Sequence, residues 1–448
     1  MLLNKTVAIV PCAGLGTRMK SSKPKFLHSV CGFSIISHIV YALINTCSEI
    51  VLVVGNGADL VKAEIKEQYS NHPNYKNIKF ALQEELLGSG DAVRVGLTQV
   101  SQSVESVFII PGDVPLIDDE FVGNVIEYFN NEKADVLLAT ALLENPFGYG
   151  RIVRDDNENI IKIVEEKDCT DEQRKISESN MYPFVVEKNF LLGALPQLNA
   201  DNAQKEIYLT DIVQIAAGES KKVVSYLLED YSYVLGINDR KQLAHVEKLL
   251  RKRINIYHML NGVTLEDPDN TYIDILVNIE KDVTIGAGSK IKGRTTIGSG
   301  CVILDSVIVD SVLEENVSVG PKSYLRPGTV LHDNVHIGTS VEIKKSEIGK
   351  GTKIPHLSYI GDCITGENCN FGGGTITANY DGKDKHQTIL GDNVKLGVNT
   401  ILVAPVKIGN NVYSAAGAVI TKDVPDSALA KGVPAEIIEN WTPPSERT

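Results

Sequence analysis

The chain has 448 residues, 44 Lys and Arg against 57 Asp and Glu, and a formal net charge of −13. A hydrophobic content of 43% with 6% aromatics is ordinary for a globular protein and excludes wholesale disorder. The acidic balance argues against a nucleic-acid partner, which selects a basic face, yet leaves room for a small anionic substrate held by a few local cations.

Residues 1–240 alternate strand and helix signals. Val7–Val10, Ile50–Val54, Ile78–Leu82 and Val107–Ile110 are short apolar runs rich in β-branched residues, which predict strands. Ser34–Thr46, Asp59–Tyr69 and Asp91–Val100 between them predict helices. Alternation at this spacing predicts an α/β unit with a largely parallel sheet covered on both faces. Ligands in such sheets sit at the carboxyl ends of the strands. No apolar run reaches the roughly 20 residues of a membrane helix, so no membrane insertion is expected. Val7–Val10 is also too short for a secretory core. The seven cysteines are scattered and form no CxxC pair, which fits reduced thiols in the cytoplasm better than a disulfide frame.

Residues 241–261 predict one amphipathic helix, with Leu243, Val246, Leu249, Leu250 and Ile254 at helical spacing after a cap at Asn238 or Asp239. It reads as a linker before a third segment, residues 262–448. There the grammar changes to a period of six: Ile285, Ile291, Ile297, Ile303 and Val309, then Leu313, Val319, Leu325, Leu331, Ile337 and Ile343 after a slip. Two further slips give Ile348, Ile354 and Ile360, then Thr365 and Phe371. Leu390, Leu396, Leu402, Ile408, Ser414 and Ile420 close the series. Neither a helix nor an ordinary strand has period six; a parallel β-helix does. Gly372–Gln387 reads as an inserted loop on a binding face.

The first strand runs into Pro11-Cys12-Ala13-Gly14-Leu-Gly16-Thr-Arg18-Met, followed by Lys23-Pro24-Lys25. This is neither a Walker loop nor a dinucleotide fingerprint. A Gly-rich turn after a strand presents backbone N–H groups to phosphate, and Arg18 and Lys25 add charge. GxG alone would equally suit a plain βα turn with a solvated basic face.

The full run resembles the signature of the sugar-1-phosphate nucleotidyltransferases. Leu82-Gln83 with Gly88-Ser89-Gly90, Pro111-Gly112-Asp113, Gly148-Tyr149-Gly150, Glu165, Asn180 and Gly236-Ile237-Asn238 occur in the order of that family's segments. The resemblance implies a Rossmann-like domain and a cleft in which Pro11, Cys12, Ala13, Gly14, Gln83, Gly88, Ser89, Pro111 and Gly112 hold the nucleotide. Gly150, Glu165, Asn180 and Asn238 would hold the sugar phosphate, Arg18 and Lys25 would be catalytic, and Asp113 with Asn238 would bind Mg2+. Phosphoryl transfer needs charge neutralisation and alignment more than acid or base, and such a set suits it.

With Ser323–Gly328, Val341–Lys345, Ile354–Asp362 and Thr377–Gly382, the whole chain resembles the bifunctional bacterial N-acetylglucosamine-1-phosphate uridyltransferases/glucosamine-1-phosphate acetyltransferases. This implies a left-handed β-helix, a homotrimer, acetyl-CoA as acetyl donor and His356 as general base. Neutral imidazole suits that task near pH 7, although a histidine in mid-repeat is also an ordinary solenoid residue. By the same resemblance Arg326, Lys344, Tyr359, Asn370 and Lys385 hold the sugar phosphate, and Gly373, Asn379, Tyr380, Val398 and Ala416 lie along acetyl-CoA. The substrates implied are UTP, glucosamine 1-phosphate, N-acetylglucosamine 1-phosphate and acetyl-CoA. The chain departs from the pattern at Pro11-Cys12, at Met181-Tyr182-Pro183, at Lys205, at Val398 in place of Ser, and at Gly432 in place of Arg beside Lys431. Competing readings are a nucleotidyltransferase with a regulatory β-helix and a scaffold with an inactive catalytic domain.

Overall fold

A computed structural model describes residues 5–441, and its contacts divide the chain into two compact units, residues 1–249 and 250–448. The first unit is built on one sheet of strands β1 (Thr6–Cys12), β2 (Glu49–Val54), β3 (Ile78–Leu82), β4 (Ser106–Ile109), β5 (Val136–Leu142), β6 (Arg151–Arg154), β7 (Ile160–Val164), β8 (Glu178–Glu187) and β9 (Val223–Leu227). Their order is β9-β5-β8-β4-β1-β2-β3, with β6 and β7 attached at β8. Strands β1 to β4 are mutually parallel, and β8 runs antiparallel to both β4 and β5.

Both faces of the parallel part are covered, which is why its strands read as continuous apolar runs. Successive side chains point to opposite faces: Ala8, Val10, Leu52 and Val54 enter one core, while Val7, Ile9, Val51 and Val53 enter the other. Helices α1 (Ile35–Leu43), α2 (Ala58–Tyr69) and α3 (Ser89–Leu97) fill the crossovers. Ser34 is the N-cap of α1, its hydroxyl accepting from the Ser37 N–H at 3.2 Å. Helix α3 stops short of the expected Val100 because its last turn tightens: Thr98 and Gln99 donate to carbonyls three residues back.

The helix Arg240–Leu260 carries the division between units, which falls between Leu249 and Leu250 rather than at 240. Val246, Leu250, Ile254 and His258 are buried at every fourth position. Buried Asn255 donates to Pro268 O at 2.7 Å and Thr271 O at 3.0 Å, fastening this end of the helix to the start of the solenoid. The expected segment ends at residues 1 and 448 lie outside the described residues.

From Thr264 the chain winds into a three-sided prism whose faces are sheets of 11, 9 and 8 short strands. Strands pair in parallel with those on the next coil, as in Ile285↔Ile303, Ile291↔Ile308 and Ile297↔Leu313, until Leu429–Lys431 and Glu436–Ile438 close one face as an antiparallel pair. This is the left-handed parallel β-helix: the hexapeptide period predicts the parallel coil, and the family resemblance implies its hand. One correction concerns Val309. Ile308, not Val309, fills the prism with 0% exposure, because the side Ile303–Ile308 spans five residues and Asp305 and Asp310 turn their corners at φ 35 and φ 43. The other two slips, Ile343 to Ile348 and Ile360 to Thr365, are five-residue sides as well.

The glycines after the inward residues are explained by coil stacking. A Cβ on Gly338 would stand 2.0 Å from Pro355 O of the next coil. The expected loop at Gly372–Gln387 starts later than Gly372: Thr377 still points inward, fully buried in the strand Ile376–Ala378. The true insertion begins at Asn379 and ends before Thr388. No helix among the described residues is long and apolar enough to cross a membrane.

Candidate active sites

The carboxyl ends of β1, β3 and β4 deliver the first site. After β1 the chain turns at Gly16 (φ 60) into a short Thr17–Met19 turn. Met19 is buried and anchors that turn, leaving Arg18 exposed. Gly16 is required for close approach, since a Cβ there would lie 2.6 Å from the Lys25 Cβ. Lys25 is thereby drawn to 9% exposure with its ammonium 2.5 Å from Asp113 Oδ2 and 3.2 Å from Asn238 Oδ1. Arg18 Nη2 donates to the same Asn238 oxygen at 2.9 Å.

Asp113 and Asn238 come from distant sequence but are tied together by the Ile237 N–H donating to Asp113 O at 2.9 Å. Gly112 lets the β4 end pass Cys12, where a Cβ would stand 2.6 Å from the Cys12 Cβ. Among the described residues no three His, Cys, Asp or Glu side chains group to hold a metal. The Asp113 and Asn238 oxygens nevertheless converge on one cationic point, the Lys25 ammonium. That pair fits a hard divalent ion completed by water and phosphate oxygens.

A cleft of about 560 Å³ opens beside these groups, lined among others by Arg18, Pro111, Asp113, Gly150, Glu165, Asn180 and Asn238. Glu165 accepts from Thr210 Oγ1 at 2.9 Å, and burial raises its pKa. Asn180 N–H donates to Gly150 O at 2.7 Å, while its own Oδ1 is buried without a partner. An orphaned acceptor beside a cleft suits a substrate hydroxyl. Met181 and Tyr182 form the bulge where β8 loses register with β5, and both line this cleft.

The nucleotide set is more mixed. Cys12 is buried, its thiol donates to Val53 O at 3.1 Å, and burial pushes its pKa well up, so only its backbone remains for a ligand. Ala13 packs against Gly55, and Gly14 is open on the side where a Cβ would project. Gln83 is buried and follows β3 directly. Gly88 (φ 123) admits the Ile207 backbone, 2.5 Å from where a Cβ would stand. The Ser89 hydroxyl accepts from the Leu209 N–H at 3.0 Å and braces that loop. Asp91, bonded to Gln83 at 2.8 Å, was not anticipated; an acid in the first turn of a helix after Gly88 was the available signal.

On the prism, Arg326, Lys344, Tyr359, Asn379 and Lys385 gather at the end of the second face. Arg326 Nη1 bonds Glu342 Oε1 at 2.8 Å. Lys344 lies against Lys385, which depresses its pKa. Asn379 Nδ2 donates to Asp362 Oδ2 at 2.5 Å and reaches the Tyr359 hydroxyl at 3.5 Å. Asp362, two residues past Ile360, was likewise not anticipated. The Tyr380 hydroxyl bonds Gly382 O at 2.7 Å, and Asp381 pairs with His386 at 2.7 Å, so the insertion is a small closed hairpin.

His356 stands elsewhere, exposed at the end of Lys353–His356 on the first face. Among the described residues its ring makes no hydrogen bond within the chain. Its neighbour on the next coil is Gly373, where a Cβ would lie 3.4 Å from the His356 Cβ. The column continues through Val398, half exposed, and Ala416: Asn399 N–H donates to Gly373 O, and Gly417 N–H to Val398 O. His356 thus heads a line of small or exposed residues running up one prism corner. Asn370 points outward from the same first face. One chain therefore does not join His356 and Asn370 to the Lys344 cluster by any hydrogen bond. Lys431 pairs at 3.6 Å with Glu436.

Residues 8–210 match the family model for a MobA-like NTP transferase domain, residues 276–310 that for a hexapeptide repeat of succinyl-transferase, and residues 309–415 that for a GMPPB C-terminal domain. Relatives named bifunctional protein GlmU include one from Clostridium perfringens, 44% identical across 97% of this chain and 98% of its own. Another, from Streptococcus uberis, is 42% identical across 96% of each chain. A third, from Caldanaerobacter subterraneus, is 43% identical across 96% of this chain and 95% of its own. With a transferase cleft in one unit, a hexapeptide prism in the other and relatives matched over nearly their full length, the chain belongs to the bifunctional GlmU family.

Proposed function

We propose that the protein acetylates glucosamine 1-phosphate with acetyl-CoA on the prism and then transfers UMP from UTP to N-acetylglucosamine 1-phosphate in the α/β unit, releasing pyrophosphate. The observation that carries the second step is the Lys25 ammonium held between Asp113 and Asn238 with Arg18 on the same asparagine. The sugar phosphate oxygen attacks the α-phosphorus in line and the pyrophosphate oxygen leaves. Arg18, Lys25 and the N–H groups of the Gly14–Gly16 turn neutralise the triphosphate, and Glu165, Asn180 and Gly150 hold the sugar. Asp113 and Asn238 would hold Mg2+, which supplies further charge neutralisation on the phosphates.

On the prism, Arg326, Lys344 and Lys385 form a cationic cradle for the sugar phosphate. His356, whose ring makes no hydrogen bond among the described residues, is placed to take a proton from the amine as its lone pair attacks the acetyl thioester carbon and CoA thiolate departs. Gly373, Val398 and Ala416 give acetyl-CoA a flat path up the corner. His356 and the cationic cradle stand on different faces of one prism, so a homotrimer whose neighbouring prisms combine the two sets is the natural assembly. The seven cysteines are all buried and unpaired with one another, which suits a cytoplasmic location.

A reading with a merely regulatory prism is less favoured, because the relatives matched over nearly their full length are named bifunctional. The test is one reaction with glucosamine 1-phosphate, acetyl-CoA, UTP and Mg2+, followed for free CoA thiol and for pyrophosphate. Both products are expected. Pyrophosphate formed only from the pre-acetylated sugar, without thiol release in either case, would restore the regulatory reading.

A further inference from the structure

The buried pair Gln83 and Asp91 has a consequence for base choice. Both Asp91 oxygens are committed: Oδ1 accepts from the Arg94 guanidinium, with Nε at 3.1 Å, and Oδ2 accepts from Gln83 Nε2 at 2.8 Å. Asp91 is 3% exposed and Gln83 4%. Asp91 lies in the first turn of α3, where the helix dipole favours the ionised carboxylate. An ionised carboxylate only accepts, so the Gln83 amide must turn its NH2 toward Asp91. The same NH2 also leans toward Gly88 O at 3.5 Å. Gln83 Oε1 accepts from no other group among the described residues. It is also absent from the sealed, unpartnered side-chain atoms, so it remains accessible at the carboxyl end of β3.

A uracil ring presents an imide N–H donor between two carbonyls. Cytosine presents an acceptor at that position beside an amino donor. An amide locked with its oxygen outward pairs with the first and opposes the second. We propose that Asp91 is a positioning residue for base selection: it fixes the Gln83 amide so that the oxygen reads the imide N–H, admitting uridine and excluding cytidine nucleotides. The proposal rests on the uridylyl transfer proposed above.

The test compares UTP with CTP in the full-length enzyme with N-acetylglucosamine 1-phosphate and Mg2+. The wild type favours UTP. In Asp91→Asn the side-chain amide offers Gln83 either an acceptor or a donor, so Gln83 can turn over. The UTP:CTP ratio of kcat/KM is expected to fall about tenfold, the weight of one hydrogen bond made or opposed, chiefly through KM. A purely structural Asp91 would lower the melting temperature and weaken both nucleotides alike, leaving the ratio unchanged. That result overturns the proposal, as does a wild type indifferent to the two bases. Asp91→Ser, whose hydroxyl also donates or accepts, serves should the asparagine variant not fold. If the wild type transfers no nucleotide at all, the functional reading fails on its own. Calorimetric Kd values for UTP and CTP, with the same expected change in ratio, then decide the role of Asp91.

Discussion

The two units use their backbones in opposite ways to make a site. In the α/β unit the segments after β1 and β4 bring Arg18 and Asp113 to one cleft, where Glu165 after β7, Asn180 within β8 and Asn238 after β9 meet them in a single chain. In the prism every coil is flat-sided. Its candidate residues stand on separate faces, with His356 on the first and Arg326, Lys344 and Lys385 at the end of the second. A doubly wound sheet encloses a ligand by itself, whereas a solenoid offers flat outer surfaces. Charge follows the same division: the first site sets cations directly on acceptor oxygens, and in the second Lys385 lowers the pKa of Lys344.

The sharpest break of this contrast is His356→Ala. An exposed imidazole with no hydrogen bond among the described residues contributes little packing, so acetyl transfer should fall by roughly 10²–10⁴-fold while melting temperature and uridylyl transfer stay near wild type. A loosened prism with only a proportionate loss of rate would make His356 a structural residue. Next is Asp113→Ala, which removes one of two oxygens around the cationic point. Uridylyl transfer should drop by about 10²–10³-fold, measured as pyrophosphate release, and thiol release should not change. A parallel fall in both activities with the fold intact would merge the two sites into one.

Lys344→Gln tests the cradle. With one cation of the cradle removed, KM for glucosamine 1-phosphate should rise about tenfold with a weaker salt dependence. An unchanged KM places the phosphate elsewhere. Gly338→Ala is the smallest effect on either rate and acts on stability. With a Cβ 2.0 Å from Pro355 O, the coils must part, costing roughly 1–3 kcal/mol of overpacking. Two calorimetric transitions are expected, with only that of the prism moved down.

Much of this was legible in the sequence where one physical signal dominates. The runs at β1 to β4 are β-branched and doubly buried, so they stand out, and the six-residue period fixes the inward residue of nearly every coil. The exceptions have causes. In Val307-Ile308-Val309 all three residues are apolar, so the run carries no phase, and the five-residue side that selects Ile308 is set by corner geometry. The loop seemed to start at Gly372 because three glycines suggest irregular backbone, yet they serve close coil stacking and the regular coil persists to Ala378. At the first site the Gly turn, Asp113 and Asn238 were readable from the resemblance. The Lys25 bridge between them, and Asp91 behind Gln83, depend on contacts between distant segments that no local pattern encodes.

The central claim, two separate chemistries carried by the two units of one sequence, is tested most directly by mixing variants. Asp113→Ala and His356→Ala proteins, each purified and each unable to convert glucosamine 1-phosphate to UDP-N-acetylglucosamine, are combined with acetyl-CoA, UTP and Mg2+, and the nucleotide sugar is followed by chromatography. The mixture should form the product after a lag in which N-acetylglucosamine 1-phosphate accumulates and passes through solution from one protein to the other. If the mixture stays as inactive as its components because a folded variant has lost both half-reactions, the two chemistries share one site and the division of labour described here is wrong.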